Sequence, residues 1–475
     1  MRARIFAEHN RKWLTLAAVS FGLFMIMLDN TVVNVALPSI QRDLDADLSE
    51  LQWIVTGYAL TFAALLLVGG KLADAYGRRL IFVIGIAVFT FASLLCGLAD
   101  SSEMLIAARV LQGAGAALMN PATLSIIAAT FPPRERGTAI GIWAGVSALA
   151  LAIGPLVGGL ITEHLNWSWI FFVNVPIGIL GIAASFVFID ESRDETHERL
   201  DLPGLATSGV GLFALTYGLI EANTYGWSSA RIVGSFVLAG VSLFAFVLLE
   251  RRQRAPMLPL ELFRSGTYTG ANLVVLLVAL AMFGVFFFVS LYMQNILRYS
   301  PVEAGAAFLP MTILIILVAP IAGKTSDRIG SRGLMTAGMI LIAVQLLMFS
   351  RLSPDASFWD LFPALVLGGM GMSLTMTPSA AAATRSVPVD KSGVGSAVLN
   401  SARQIGGTMG IALMGAIMAA EVGGKRTPDA FMKGFENALL VAAGIAAVGA
   451  IVAFTLVRPH EGAGSTGPAA AEPAA

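Results

Sequence analysis

Apolar runs of about 20 residues recur along almost the whole chain, each long enough to cross ~30 Å of hydrocarbon, and no other feature restricts the fold so severely. In lipid a segment must satisfy its own backbone hydrogen bonds, which a lone helix does. No run alternates between apolar and polar residues as the strands of a transmembrane barrel do. Only 13% of the residues are charged, against about 25% in a soluble domain. The sequence therefore predicts an all-α polytopic membrane protein. Fourteen spans are read, at 14–38, 51–70, 80–99, 103–129, 137–162, 168–189, 202–221, 231–249, 268–293, 303–323, 334–352, 359–383, 393–420 and 437–457.

With an even number of spans both termini lie on one side. Loops on that side hold twenty-one of the 30 Lys and Arg residues, loops on the other side hold seven, and Arg109 and Arg403 fall within spans. The positive-inside rule then places both termini in the cytoplasm of a multi-pass cell-membrane protein. The net charge is zero, which gives no reason to expect a nucleic-acid partner. The single cysteine, Cys96, excludes a disulfide framework, and His9, His164, His197 and His460 all lie in loops or tails, so no metal site is expected. Arg2, Arg4, Arg11 and Lys12 precede the first apolar run as in a signal peptide, but the run continues to Pro38 without a clear cleavage site and reads as a span.

One charged loop occurs twice. Gly70-Lys-Leu-Ala-Asp-Ala-Tyr-Gly-Arg-Arg-Leu80 returns as Gly323-Lys-Thr-Ser-Asp-Arg-Ile-Gly-Ser-Arg332, aligning Gly70 with Gly323, Lys71 with Lys324, Asp74 with Asp327 and Gly77 with Gly330. Repeated halves that rock about a central site are a common transporter design. The copies lie 253 residues apart. At roughly 32 residues per span and loop that is eight helices, whereas two six-helix halves alone would place them about 190 apart. The expected order is a cytoplasmic N-terminus (1–13), a six-helix bundle (14–189), a cytoplasmic loop (190–201), two inserted helices (202–249), a cytoplasmic linker (250–267), a second six-helix bundle (268–457) and a disordered cytoplasmic tail (458–475).

Two nucleotide-like motifs fail on context. Ala322-Gly-Lys-Thr325 has Val318 where a P-loop needs glycine, and Gly462-Ala-Gly-Ser-Thr-Gly467 lies in the tail with no strand before it. No nucleotide, cofactor or enzymatic constellation is expected, so uphill transport would draw on an ion gradient. Charges inside the membrane are functional candidates by default. Asp29, ~15 Å from the outer end of span 1, and Arg109, ~9 Å from the outer end of span 4, share the outer half at 1.5 Å per residue. A carboxylate's proton affinity rises in low dielectric and falls beside an arginine, so a changing Asp29–Arg109 distance would load and unload a proton. The bland alternative is a static pair that fixes helix packing. In span 5, Gly141/Gly145 and Gly154/Gly158 sit at the four-residue spacing that permits close helix approach, and Pro155 removes a backbone donor and permits a bend.

These motifs together resemble the major facilitator superfamily, and over residues 14–457 the chain looks like its fourteen-spanner drug:proton antiporter family (EmrB/QacA type). Gly70–Leu80 resembles the loop 2–3 signature, Arg109 with Gln112-Gly113 the helix-4 signature, and Gly154-Pro155 with Gly158-Gly159 the antiporter signature of helix 5. Asp29-Asn-Thr-Val-Val-Asn-Val-Ala-Leu-Pro38 resembles the helix-1 signature of drug exporters, while Trp167–Gly178 and Arg403-Gln404-Ile-Gly-Gly407 look like fourteen-spanners in particular. The resemblance implies a major facilitator fold of two six-helix bundles plus two extra central helices. It also implies a proton-coupled antiporter of small amphipathic or hydrophobic compounds such as drugs, working by alternating access without a cofactor.

For the gate, the resemblance implies Asp74, with Gly70, Gly77 and Arg78, docking near Ser392 and Gly393 at the start of helix 13, where an acid complements the helix dipole. Asp327 would be a weaker echo near Gly137. Arg403 lies ~16 Å from the inner end of span 13, with no deep acid in the second half. That inventory predicts a cavity disfavouring multivalent cations. Asn34, Trp53, Tyr58, Gln112, Tyr292, Asn295, Asn400, Arg403 and Gln404 are the candidate cavity groups. An exporter or facilitator of one endogenous metabolite stays open on the same fold, as does a periplasmic adaptor as partner.

Overall fold

The computed structural model describes residues 8–193, 201–253, 256, 258–387, 392–422 and 427–458. The tail expected to be disordered lies outside these apart from Arg458. Six helices form the first bundle: α1 (Glu8–Asp43), α2 (Leu48–Tyr76), α3 (Arg78–Gly97), α4 (Ser102–Thr130), α5 (Pro133–His164) and α6 (Trp169–Phe188). Two follow, α7 (Leu202–Tyr225) and α8 (Ala230–Arg252). The second bundle holds α9 (Gly266–Leu291), α10 (Pro301–Ile329), α11 (Ser331–Phe349), α12 (Phe358–Arg385), α13 (Ser392–Val422) and α14 (Pro428–Leu456). Thirteen of these are long and apolar enough to cross a membrane, and α13 is a further helix of 31 residues. The chain is a multi-pass membrane protein.

Pro38 does not end α1, which runs on to Asp43. α6 and α10 are each interrupted once, at Val173 and Phe308, shortly before Pro176 and Pro310. α9 ends in a π-turn over Tyr292–Ile296.

Small residues set the helix spacing. A Cβ on Gly69 would lie 2.1 Å from the Ala117 carbonyl oxygen, so α2 and α4 meet backbone to backbone there. Gly115 and Gly85 do the same for α4 and α3. Gly70, named for the gate loop, makes only an ordinary contact there, a built Cβ lying 3.5 Å from Pro121. The repeated loops share one conformation: Gly77 (φ 126°) and Gly330 (φ 88°) both join two helices in backbone regions that side-chain-bearing residues avoid.

The bundles meet at the end remote from the chain termini, called here the far end. Gln52 Nε2 donates to the Ile411 carbonyl (2.7 Å), Gln294 Nε2 to the Val35 carbonyl (2.8 Å), and the Val302 amide to Glu163 Oε2 (2.9 Å). α5 shows the contrast along one helix. Its far-end Gly159 abuts the Pro301 carbonyl, and Pro155 abuts Gly305, whereas Gly141 and Gly145 have nothing within 4 Å of a built Cβ. The close approach expected at Gly141/Gly145 is therefore not made; among the described residues of α5 the close contacts to the second bundle lie at its far end.

α7 and α8 pack on each other, and α7 also lies against α2 and α13. α8 turns Val237, Val241 and Phe244 outward, as a lipid-facing helix does. At its far end α7 grips both bundles: Glu221 Oε1 accepts from Ser49 Oγ (2.8 Å) and Trp53 Nε1 (3.0 Å) of α2, while Asn223 Nδ2 donates to the Ala416 carbonyl of α13 (2.7 Å).

The far-end seal yields a stability prediction. A Cβ on Gly305 would sit 2.2 Å from the Pro155 carbonyl oxygen, and backbone cannot swing aside. Gly305→Leu should lower stability by about 1–3 kcal/mol, read as a fall in Tm of the detergent-solubilised protein; an unchanged Tm would contradict this packing.

Candidate functional site

The only ion pair among the described residues that is fully buried lies inside the first bundle. Asp29 comes from α1, Arg109 and Gln112 from α4, three residues apart and so on one helix face. Arg109 Nη1 donates to Asp29 Oδ2 and to Gln112 Oε1 (2.6 Å); its Nε donates to the Ile54 carbonyl (3.0 Å). Gln112 Nε2 donates to Asp29 Oδ1 (2.9 Å) and Ser93 Oγ (2.8 Å). The guanidinium lies 4.3 Å from the centre of the Tyr58 ring and 5.7 Å from that of Phe171, a cation–π arrangement that gains strength in a dry site. Asp29 and Arg109 are each 1% exposed.

Each carboxylate oxygen thus holds one donor, and the two charges cancel. Such a pair tolerates the interior only while complete, because losing one partner strands the other charge. Asn30 and Asn34 lie one turn apart on α1 and stay partly exposed, with Asn34 Nδ2 donating to the Asn30 carbonyl at 3.3 Å.

Several expected cavity groups sit elsewhere. Trp53 is turned outward to α7, bonded to Glu221 and packed against Phe213 and Tyr217. Tyr292 stacks on Phe435 at 5.1 Å and donates to the Ser353 carbonyl (2.6 Å), buried among α9, α14 and the α11–α12 loop. Asn295 lies in the far-end π-turn. Asn400 Nδ2 is engaged by the Ser396 carbonyl one turn below (3.2 Å). Tyr58 and Gln112 are enclosed within the ion-pair cluster. Arg403 has no hydrogen-bond or ion-pair partner among the described residues, and its Nε is buried; the neighbouring Gln404 Nε2 is likewise buried and unbonded.

At the near end Asp74 is paired with Arg78 of its own loop (3.0 Å); the side chains of Ser392 and Gly393, where it is expected to dock, lie outside the described residues. Asp327 pairs with Arg385 of its own bundle (2.7 Å); Gly137, its expected partner region, lies outside the residues whose side chains are described. Residues 388–391, just ahead of α13, lie outside the described residues. Glu191, which sequence reading passed over, does what a capping acid does: its carboxylate accepts the Arg79 and Leu80 amides (3.1 Å each) at the start of α3. No local pattern links it to a loop 112 residues earlier. In the antiporter-like motif, Gly154 and Gly158 admit Thr31 and Val32 of α1, and Gly159 admits the start of α10.

The fold and these motifs define a transporter of the major facilitator type. The sequence profile of the Major Facilitator Superfamily matches residues 19–411 and again 271–474, and the chain belongs to that family. It is 38% identical to the tetracenomycin C resistance and export protein of Streptomyces glaucescens over 87% of this chain and 77% of that one. It is 38% identical to a puromycin resistance protein of Streptomyces alboniger over 98% and 95%, and 37% identical to the multidrug resistance protein Stp of Mycobacterium tuberculosis over 86% and 76%. Among solved structures it shares its fold with a bacterial homologue of the lysosomal transporter Spinster in an inward-facing conformation (TM-score 0.66, 18% identity, 94% and 97% covered) and with a POT peptide transporter (TM-score 0.68, 15% identity, 92% and 93% covered).

The closed pair makes a testable demand. Arg109→Met should destabilise the protein by about 3–5 kcal/mol by stranding Asp29, and adding Asp29→Asn should recover part of that loss. Thermal unfolding in detergent checks it; identical unfolding of the single and double variants would deny the coupling.

Proposed function

We propose that this protein exports small amphipathic or hydrophobic compounds, drugs among them, across the cytoplasmic membrane in exchange for protons, as a fourteen-spanner drug:proton antiporter. The observation that carries this reading is the Asp29–Arg109 pair, fully buried, hydrogen-bonded at both carboxylate oxygens and contributed by two different helices. Its membership of a transporter family and its likeness to proteins named for resistance and export supply the direction and the substrate class.

With both termini in the cytoplasm, the closed far end faces outward and the conformation described above is open inward. In the proposed cycle, substrate enters from the cytoplasmic side while Asp29 is ionised and held by Arg109. Rocking then parts the far-end contacts of α2 with α13 and α5 with α10, and closes the near end, where Asp74 with Arg78 would reach the start of α13 and Asp327 the start of α5. Parting Asp29 from Arg109 in a dry interior favours the neutral acid, so a proton taken from outside would be released inside when the pair re-forms. Asn34, Gln404 and Arg403 are the polar groups assigned to the substrate. This cycle calls for no cofactor and no nucleotide.

Asp29→Asn should still be expressed, at lowered stability because Arg109 keeps a buried charge without its counter-ion, yet abolish export driven by a pH gradient. Purified wild-type protein should release protons on adding a transported compound and the variant should not; export by the variant that still follows the pH gradient would remove Asp29 from the mechanism. Because Arg403 has no acidic partner and Asp29 is neutralised, dicationic dyes should be poor substrates beside neutral or monocationic compounds. Strong, selective extrusion of a dication by cells expressing the protein would contradict this.

A further inference from the structure

We propose that the cavity enclosed by α2, α7, α8, α9 and α13 is a second ligand site, distinct from the Asp29 region, for a neutral and largely apolar molecule carrying a hydroxyl or N–H donor. The cavity has a volume of about 290 Å³, near the lower end of small-molecule sites. Ala63 of α2, Leu212 of α7, Phe246 of α8, Leu276 of α9 and Val398 of α13 form most of its wall, and no charged residue lines it. That lining excludes an ion and selects an apolar body.

Its few polar groups are mismatched in one direction. Asn272 is buried; its Nδ2 donates to the Tyr268 carbonyl (2.9 Å), which fixes the amide, and its Oδ1 is left with no partner. Ser401, 9% exposed, has an Oγ with no partner. The hydroxyls of Ser208 and Thr269 have already given their hydrogens to the Gly204 (2.8 Å) and Phe263 (2.8 Å) carbonyls, so they can only accept. The wall therefore offers three acceptors and one uncommitted hydroxyl. Buried polar groups in folded proteins normally have partners; these lack protein donors, and a ligand hydroxyl or N–H between Asn272 and Ser401 would supply one.

The inserted helices supply its wall on the lipid side. Leu258 and Phe263 form its floor, and the Leu258 amide donates to Glu250 (3.0 Å). All its helical walls come from the near half of the membrane. They join α2 of one bundle to α13 of the other, so an occupant would feel the rocking of the halves. Arg403, one residue beyond Ala402, is turned about 100° away from this face and belongs to another surface.

The shared chemistry fits a lipid with a free hydroxyl or a drug-sized neutral alcohol, and the test separates them. The full chain in phosphatidylcholine nanodiscs is photolabelled with a diazirine-bearing long-chain alcohol or with its methyl ether, and the labelled peptides are mapped by mass spectrometry. The alcohol should label the α7, α9 and α13 walls about tenfold more than the ether, the factor expected for one unmatched buried acceptor. Equal labelling by the two in the wild-type protein overturns the proposal without any variant. Asn272→Ala with Ser401→Ala should reduce alcohol labelling to the ether level, and Leu212→Trp or Phe246→Trp should block both probes by filling the space; wild-type labelling in either filled variant also overturns it. Competition by dioctanoylglycerol identifies a lipid source and competition by 2-naphthol a solute source, while competition by neither refutes the donor-bearing class.

Discussion

Every polar group in the membrane-spanning part of this protein has to find its partner inside the protein, because hydrocarbon offers none. Much of the structure is that requirement applied at successive scales. It makes all the spans helical. It closes Asp29 on Arg109 and Gln112, and brings Ile54 and Ser93 in to complete the set. It fixes the far-end seam through carbonyls of Ile411 and Val35 that accept a second hydrogen bond from glutamine side chains. The requirement is not met everywhere: buried side-chain atoms of Tyr58, Asn174 and Gln345, as well as of Arg403, Gln404, Asn272 and Ser401, have no hydrogen-bond partner among the described residues.

Glycine does the complementary work of bringing backbones close enough for those bonds to form. Gly69 against Ala117, Gly115 against Phe89, and Gly305 against Pro155 each replace a side chain by direct main-chain contact. Since dispersion rather than hydrophobic drive holds helices together in lipid, such contacts decide which faces stay shut. α5 carries both kinds of glycine, packed at one end and unpacked at the other, and so records in one helix which end of the molecule is sealed.

The fold was legible in the sequence because its signals are local. Apolar run length gave the spans, and the spacing of the Gly77 and Gly330 loops required two additional helices between the halves. Asp29 and Arg109 stood out because charge is rare in apolar runs, and their depths agree to within a turn or two. Apart from that pair, partners 50 or more residues apart were not legible. Nothing near Trp53 announces Glu221, nothing near Leu80 announces Glu191, and the exchange of Asp74 and Asp327 onto neighbouring arginines depends on conformation, which one sequence does not specify. An aromatic or amide residue in a span marks a polar need without saying which side of the helix meets it, which is why Trp53 and Tyr292 were read as cavity groups and lie in packed interfaces instead.

The end of α7 has a mechanical meaning. Glu221 holds α2 and Asn223 holds α13, so a helix outside both bundles is tied across the seam between them. Any movement that parts α2 from α13 at that end must stretch the tie or break it on one side. In the proposed cycle the inserted pair would therefore act as a strap favouring the conformation with the far end shut, with the three hydrogen bonds at its buckle entering the balance between the two faces.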